Sequence, residues 1–187
     1  VFSLLQNILL TYMRNRFSKT IFFTLRVITI LIFIAKSSFA NDFEDFKLIG
    51  KSDLSFLGFK IYDIELSGES NVFSYNQKLA LKINYDKDFS KEDLIQTSID
   101  EIVRINQLDQ KDTEKLYRAS FEKIFVDVKK GDKKIAIYDP NFGLKLFYNG
   151  RLIGKVKDRV FAKRFFDIWL NKNAKFKNLR NKLLNLD

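Results

Sequence analysis

The sequence contains no cysteine and no histidine among its 187 residues. The absence of cysteine excludes disulfides and thiol nucleophiles, and the absence of histidine excludes imidazole catalysis and the most common zinc ligand. Proline occurs once and glycine seven times, which argues against long loops, collagen-like repeats and linkers between several domains. What is present is 46% hydrophobic residues, including 20 phenylalanines, enough for one domain with a substantial core. No cofactor and no metal site is predicted.

Positive charge exceeds negative charge, but it is unevenly distributed along the chain. The formal net charge is +10, and five of the 33 basic residues but none of the 23 acidic residues lie in residues 1–40. The rest of the chain is therefore only mildly basic. A nucleic-acid-binding domain usually has a much stronger basic excess, so no nucleic-acid partner is predicted.

The first forty residues have the pattern of an export signal. A basic start from Met13 precedes the apolar run Val27–Ala35, and Ser38 and Ala40 are small residues at the minus-three and minus-one positions of a signal-peptidase site. The apolar run has about half of the ~20 residues that a membrane span requires. We expect residues 1–40 to be an N-terminal extension and cleaved signal peptide, so that the mature protein is periplasmic and contacts the membrane only before cleavage. An uncleaved segment anchored in the inner membrane is the alternative.

Residues 143–170 predict a β-hairpin followed directly by an amphipathic helix. Asn149-Gly150 is a favoured dipeptide for a two-residue type I′ turn, because both positions require positive φ. Apolar residues alternate on either side of this turn, and Asp158 is placed to cap the helix. The apolar residues that recur at helical spacing after it are Val160, Phe161, Phe165, Ile168 and Trp169.

The residues before this block predict further strands and helices. Residues 54–66 favour a long or bent strand pair within a sheet covered on both faces, and residues 78–85 favour a half-buried strand. Ser90 begins a capping-box-like helix start, and Asp112 is the predicted cap of a second helix. Together with a strand at 133–138 and a final amphipathic segment, this order predicts one α+β domain over residues 41–187.

Five short segments stand out by their order and spacing: GK at 50–51, FLGFKIYDIEL at 56–66, FSKED at 89–93, YNGRLIG at 148–154 and FFDIWL at 165–170. Taken together, they resemble the chalcone isomerase-like superfamily, in particular its bacterial exported branch. The resemblance implies an open-faced β-sandwich, a large antiparallel sheet with helices packed on one face. Plant members of the superfamily close a chalcone to a flavanone, and related plastid proteins bind fatty acids in the corresponding cleft.

The resemblance implies four ligand contacts in that cleft, but no catalytic residue. Ser52 stands where the isomerases carry an arginine that holds the reacting oxygen, a task that needs a fixed positive donor. Tyr62 keeps a hydroxyl where the family has threonine. Phe89 lacks the hydroxyl of the family's tyrosine, and Gln96 keeps an amide where the family has asparagine. Neighbouring Lys51 would point to the other face of the strand.

Each of these residues also has a structural interpretation. Tyr62 can be an aromatic residue of the sheet with a hydrated hydroxyl, Gln96 can face solvent on its helix, and Phe89 can be a packing residue. Trp169 is expected to fasten its helix to the sheet. The acidic residues around the start of the helix that Ser90 begins are explained by helix-terminus electrostatics, and they lack the spacing of an EF-hand loop.

The sequence leaves three functions open. The first is an exported, non-catalytic protein that binds a fatty acid or another apolar small molecule between sheet and helices. The second is an intramolecular lyase or isomerase with an unknown substrate. The third is an envelope interaction protein that recruits a partner through its hairpin or its basic C-terminal helix. We favour the first, because the positions that align with the family's catalytic residues are substituted.

Overall fold

Alternating apolar and polar residues form six strands, each of which pairs with the next along the chain. In the computed structural model, which describes residues 45–186, these strands make one antiparallel sheet. They are β1 (Lys47–Phe56), β2 (Phe59–Gly68), β3 (Leu79–Tyr85), β4 (Lys133–Asp139), β5 (Gly143–Tyr148) and β6 (Arg151–Val156). Four helices are described: α1 (Lys91–Asn106), α2 (Gln110–Ile124), α3 (Arg159–Leu170) and α4 (Lys177–Leu184). The predicted signal peptide lies outside the described residues.

Two hairpins are closed by two-residue turns in which both residues have positive φ. Asn149 and Gly150 have φ of 47° and 81°, which confirms the predicted type I′ turn. A second such turn, at Leu57 and Gly58, divides residues 54–66 into β1 and β2 and confirms the predicted strand pair. The expectation that both faces are covered there is wrong, because the face away from the helices carries the paired acids Asp53 and Asp63. At the hairpin tip Leu57 is 81% exposed and Phe59 is 63% exposed.

Short polar side chains determine where the helices begin. Ser90 Oγ accepts a hydrogen bond from the backbone N–H of Asp93 at 3.0 Å, and the Asp158 carboxylate accepts two from the first turn of α3. Both caps were predicted. The cap of α2 is Asp109 and not Asp112, because the Asp109 carboxylate accepts the N–H of Asp112 and the helix therefore starts earlier.

The helices pack on one face of the sheet, as predicted. One row of paired strand residues beneath them consists of Leu66, Leu81, Ala136 and Leu146, all of which are buried. The opposite face is largely polar and carries a small apolar cluster around Ile137. This arrangement confirms the α+β fold class and the open-faced sandwich. No helix of the described part of the chain has both the length and the hydropathy needed to cross a bilayer.

Two glycines allow helices to approach strands closely. A Cβ atom at Gly50 would lie 2.2 Å from the carbonyl oxygen of Lys182 and 2.6 Å from that of Leu183. A Cβ atom at Gly154 would lie 2.6 Å from Cγ2 of Ile124. The C-terminal turn of α4 therefore rests directly on β1, and the end of α2 rests on β6.

Candidate functional site

The strand register places polar and aromatic side chains at one end of the helix-facing side of the sheet. One row across the strands is formed by Leu54, Tyr62 and Tyr85. The next row is formed by Ser52, Ile64, Ile83, Lys134 and Tyr148. Directly paired residues of neighbouring strands project from the same face. Ser52 and Tyr62 therefore share this face with Lys134, which the sequence reading did not single out.

Six side chains between the sheet and the helices contact one another in a ring, and we call them the aromatic cluster. Its members are Tyr62, Tyr85, Phe125, Lys134, Phe165 and Trp169. The sheet supplies the two tyrosines and the lysine, the C-cap of α2 supplies Phe125, and α3 supplies the remaining two. The cluster thus joins strands β2, β3 and β4 to the end of α2 and to α3.

The aromatic rings in the cluster meet at favourable angles. The ring centroids of Tyr62 and Tyr85 are 6.3 Å apart, those of Phe125 and Phe165 are 6.2 Å apart, and those of Phe165 and Trp169 are 5.4 Å apart. All three pairs are edge-to-face or tilted. Such pairs contribute about 0.5–1.5 kcal/mol beyond the burial of their area, so the cluster stabilises the contact between sheet and helices.

A hydrogen bond between the half-buried residues Trp169 and Tyr62 completes the ring of contacts. Nε1–H of Trp169 donates to the hydroxyl oxygen of Tyr62 at 3.0 Å. Burial raises the pKa of Tyr62 to about 12, so the phenol keeps its proton at neutral pH. No side chain within residues 45–186 accepts that proton. Tyr62 is therefore able to donate a hydrogen bond to a ligand.

Lys134 is the charged member of the cluster and is only 3% exposed. Its Nζ donates a long hydrogen bond of 3.4 Å to the carbonyl oxygen of Val126. The same atom lies 4.6 Å from the ring centroid of Phe125 and 5.8 Å from that of Tyr85. Burial lowers the pKa of Lys134 to about 8, although the nearby carboxylates oppose this shift. A buried ammonium with so few partners is an uncommon arrangement.

Tyr62 and Phe89 each pack against Tyr85, whereas Ser52 and Gln96 lie elsewhere. Phe89 packs edge-to-face against Tyr85, with ring centroids 6.0 Å apart, and so adjoins the cluster. Ser52 shares the sheet face but lies on the edge strand β1, in a surface depression of about 390 Å³. The ligand-binding roles of these residues stay predictions.

Gln96 belongs to a polar network on the outside of α1. Its side chain accepts a hydrogen bond from Arg118 at 3.1 Å and donates one to Asp100 at 2.8 Å. This outward position agrees with the structural interpretation of Gln96 as a residue that faces solvent on its helix. The structure therefore gives Gln96 a contact between α1 and α2 and places it apart from the cluster.

A second depression, of about 500 Å³, lies where α3 begins. Asp167 on its wall is 4% exposed and accepts hydrogen bonds from the Tyr75 hydroxyl at 2.8 Å and from Lys163 Nζ at 2.7 Å. The bond from Tyr75 ties α3 to the connection between β2 and β3, whereas the bond from Lys163 lies within α3. None of the predicted ligand contacts lines this depression, and its buried acid already has two partners.

The acidic residues near the start of α1 have partners of their own. Asp88 pairs with Lys129 at 3.1 Å, and Glu92 pairs with Arg118 at 2.8 Å. Within residues 45–186 no group of three or more potential metal ligands is present.

Comparison with known proteins yields a family and a fold. Residues 65–185 match the sequence model of a family described as chalcone isomerase-like. The crystal structure of the Arabidopsis thaliana fatty-acid binding protein matches with a TM-score of 0.60 at 13% identity, over 79% of this chain and 90% of that protein. At this identity the likeness shows the fold. A comparison with curated protein sequences finds no match.

Proposed function

The chain belongs to the chalcone isomerase-like family, and from that membership we propose that it is a binding protein without isomerase activity. Its ligand is a fatty acid or another apolar small molecule, held between the sheet and the helices. The aromatic cluster is the observation that carries the proposal. Small-molecule sites are typically apolar and aromatic, with a few convergent polar groups, and the cluster has this composition.

Three aromatic residues at the margin of the cluster remain partly accessible to solvent. Tyr62, Phe89 and Trp169 are each only partly buried, and the hydrogen bond from Trp169 to Tyr62 ties α3 to β2. Opening such a bond costs about 0.5–1.5 kcal/mol. Burying a methylene group returns about 0.8 kcal/mol, so a chain of several methylenes offsets the opening of this contact.

The chemistry of the aligned positions favours binding over catalysis. A general acid or base works best with a pKa near the operating pH, whereas the pKa of Tyr62 is raised to about 12. Ser52 provides no fixed positive charge for a reacting oxygen, and Phe89 provides no hydroxyl. The fatty-acid binding protein with the same fold supports a binding role for this architecture.

A built-in probe allows a direct test of binding. Trp169 is the single tryptophan of the chain, so the intrinsic tryptophan fluorescence of the full-length protein reports on the cluster. We expect a saturable change in Trp169 emission on titration with laurate, and a 1:1 laurate complex in native mass spectrometry. The matched control is Leu116→Ser on the exposed side of α2, which should bind laurate as the wild type does.

A flat fluorescence titration together with the absence of any laurate complex would refute the binding function. Isomerase activity is tested separately with chalcone. We expect cyclisation at the uncatalysed rate, and a rate above background that falls in Tyr62→Phe would favour an enzyme instead.

We also propose that the protein is exported to the periplasm by residues 1–40. The basic start, the short apolar run and the small residues before Asn41 support this location. The expected result of expressing the full chain in a bacterium is a periplasmic product whose N-terminal residue is Asn41. An intact chain that stays in the inner membrane would favour the anchored alternative.

A further inference from the structure

We infer that Lys134 binds the acidic end of the ligand, so that the ligand class is a long-chain carboxylate. This inference rests on the proposed function and specifies which part of the cluster faces the head group. It depends on three features of Lys134, namely its burial, its lack of an anionic partner and its position among hydrogen-bond donors.

The first feature is an ammonium that is buried with most of its hydrogen-bonding capacity unused. A lysine ammonium has three N–H donors, and Lys134 uses one of them in a long bond to Val126. The aromatic faces of Phe125 and Tyr85 offset part of the lost hydration. A buried charge usually has a counter-ion, and none of the carboxylates in residues 45–186 forms an ion pair with Lys134.

The second feature is that the nearest carboxylates already have other partners. Asp132 accepts hydrogen bonds from the Tyr148 hydroxyl at 2.6 Å and from Asn149 Nδ2 at 2.8 Å. Asp127 accepts the N–H of Lys91 at 2.7 Å. These two acids raise the pKa of Lys134 by charge interaction, but burial outweighs them and sets it to about 8. At neutral pH the amine is therefore mostly protonated and able to attract an anion.

The third feature is a set of hydroxyl donors on the same face of the sheet. Tyr85 and Tyr62 occupy the row next to Lys134, and neither hydroxyl proton has an acceptor within the described residues. Burial raises the pKa of both phenols, so both stay protonated and can donate. A carboxylate accepts about four hydrogen bonds through its two oxygens, which matches an ammonium and neighbouring phenols.

The charge of the head group is tested by comparing laurate with dodecanol. The two molecules have the same chain length and differ in their charge at pH 7. The full-length wild type, Lys134→Met and Lys133→Met are titrated with each ligand while Trp169 fluorescence is recorded. Lys133 is the control because it is the adjacent lysine of β4, is exposed, and projects from the opposite face of the sheet.

The wild type should bind laurate more tightly than dodecanol. We expect Lys134→Met to lose about tenfold or more in laurate affinity, the scale of a hydrogen bond to a charged group, while its dodecanol affinity changes less than about threefold. Lys133→Met should bind both ligands as the wild type does. Equal losses for laurate and dodecanol, or no loss for either, would overturn the role of Lys134 and leave the binding function intact.

The wild type alone provides a second measurement that does not depend on the folding of a variant. Its laurate affinity should fall as the pH rises through about 8, where Lys134 loses its proton, while its dodecanol affinity stays constant over the same range. A laurate affinity that is constant from pH 7 to pH 9.5 contradicts the inference. Failure of the wild type to bind either ligand contradicts both the inference and the proposed function.

Discussion

At the scale of single residues, the charge of Lys134 opposes folding when no anion is bound. Its ammonium exchanges water for two aromatic rings and one long hydrogen bond. Replacing such a group with an apolar side chain of similar volume is often stabilising. As a ligand-binding residue, Lys134 should therefore lower the free energy of unfolding of the ligand-free protein. A purely structural residue at this position would not have this effect.

Lys134→Met should raise the free energy of unfolding of the free protein at pH 7 by about 2–3 kcal/mol. The pKa of Lys134 is about 8 in the folded state and 10.5 as the reference value. Between these values the unfolded chain binds more protons, so the contribution of Lys134 to stability rises with pH. The advantage of Lys134→Met should therefore shrink from pH 8 to pH 10.

Urea denaturation at pH 7 and at pH 10 measures this change. Lys133→Met is the control and should differ from the wild type by the same small amount at both pH values. An advantage of Lys134→Met that does not depend on pH would show that packing, and not charge, is responsible.

The hydroxyl of Tyr62 holds the single tryptophan in place. Tyr62→Phe leaves Nε1–H of Trp169 without its acceptor and should reduce the free energy of unfolding by about 0.5–1.5 kcal/mol. Trp169 emission should shift at the same time, because its local contacts change. Tyr148→Phe removes a hydroxyl bonded to Asp132 instead, so it should destabilise the protein without changing the Trp169 emission. Identical spectra for all three proteins would be inconsistent with this role.

At the scale of elements, the position of α4 depends on a glycine in the edge strand. The backbone of α4 lies where a Cβ atom of Gly50 would be, so α4 and β1 pack with almost no side chain between them. This explains Gly50-Lys51 as a packing feature. In the sequence alone, Gly50-Lys51 indicates only the resemblance to a family.

Gly50→Ala should destabilise the protein by about 1–3 kcal/mol, the usual cost of overpacking. The new methyl group meets the carbonyl oxygens of Lys182 and Leu183, which are backbone atoms and cannot rotate away. Ser52→Ala, two residues further along the same strand face, is the matched control and should cost less than about 0.5 kcal/mol. Chemical denaturation of both variants checks the difference, and equal stabilities would mean that α4 moves aside without cost.

Among the elements, those set by local chemistry were predicted correctly. The turn at Asn149-Gly150 and the caps Ser90 and Asp158 depend on interactions within a few residues. The sequence predicts Asp112 as the cap of α2, whereas the cap in the structure is Asp109. Both are polar residues near the same helix start, and which of them caps the helix depends on where the preceding chain turns. The sequence does not reveal that Leu57 is exposed at a hairpin tip. An apolar residue in a turn continues the apolar pattern of the neighbouring strands, so the two cannot be told apart.

At the scale of the whole molecule, the candidate site depends on the strand register. Lys134 faces the helices because it pairs with Tyr148 across β4 and β5. The same register places the more apolar Ile135 and Ile137 on the opposite face. The composition of β4 alone predicts that Ile135 and Ile137 face the helices and that Lys134 faces solvent. Lys134 is therefore not a candidate site residue in the sequence. The register of the β4–β5 hairpin, extended from the apolar residues of β5, was the signal that could have identified it.

The sequence by itself determined the turns, most of the helix caps, the order of strands and helices and the resemblance to a family, because these depend on the propensities of neighbouring residues. Only the tertiary structure decided that Tyr62 meets Trp169, 107 residues away, and that Gln96 stays outside. It also decided that Lys134 is buried among rings with a pKa near 8. Burial and long-range contacts depend on how the sheet and helices pack, and a pKa depends on that burial.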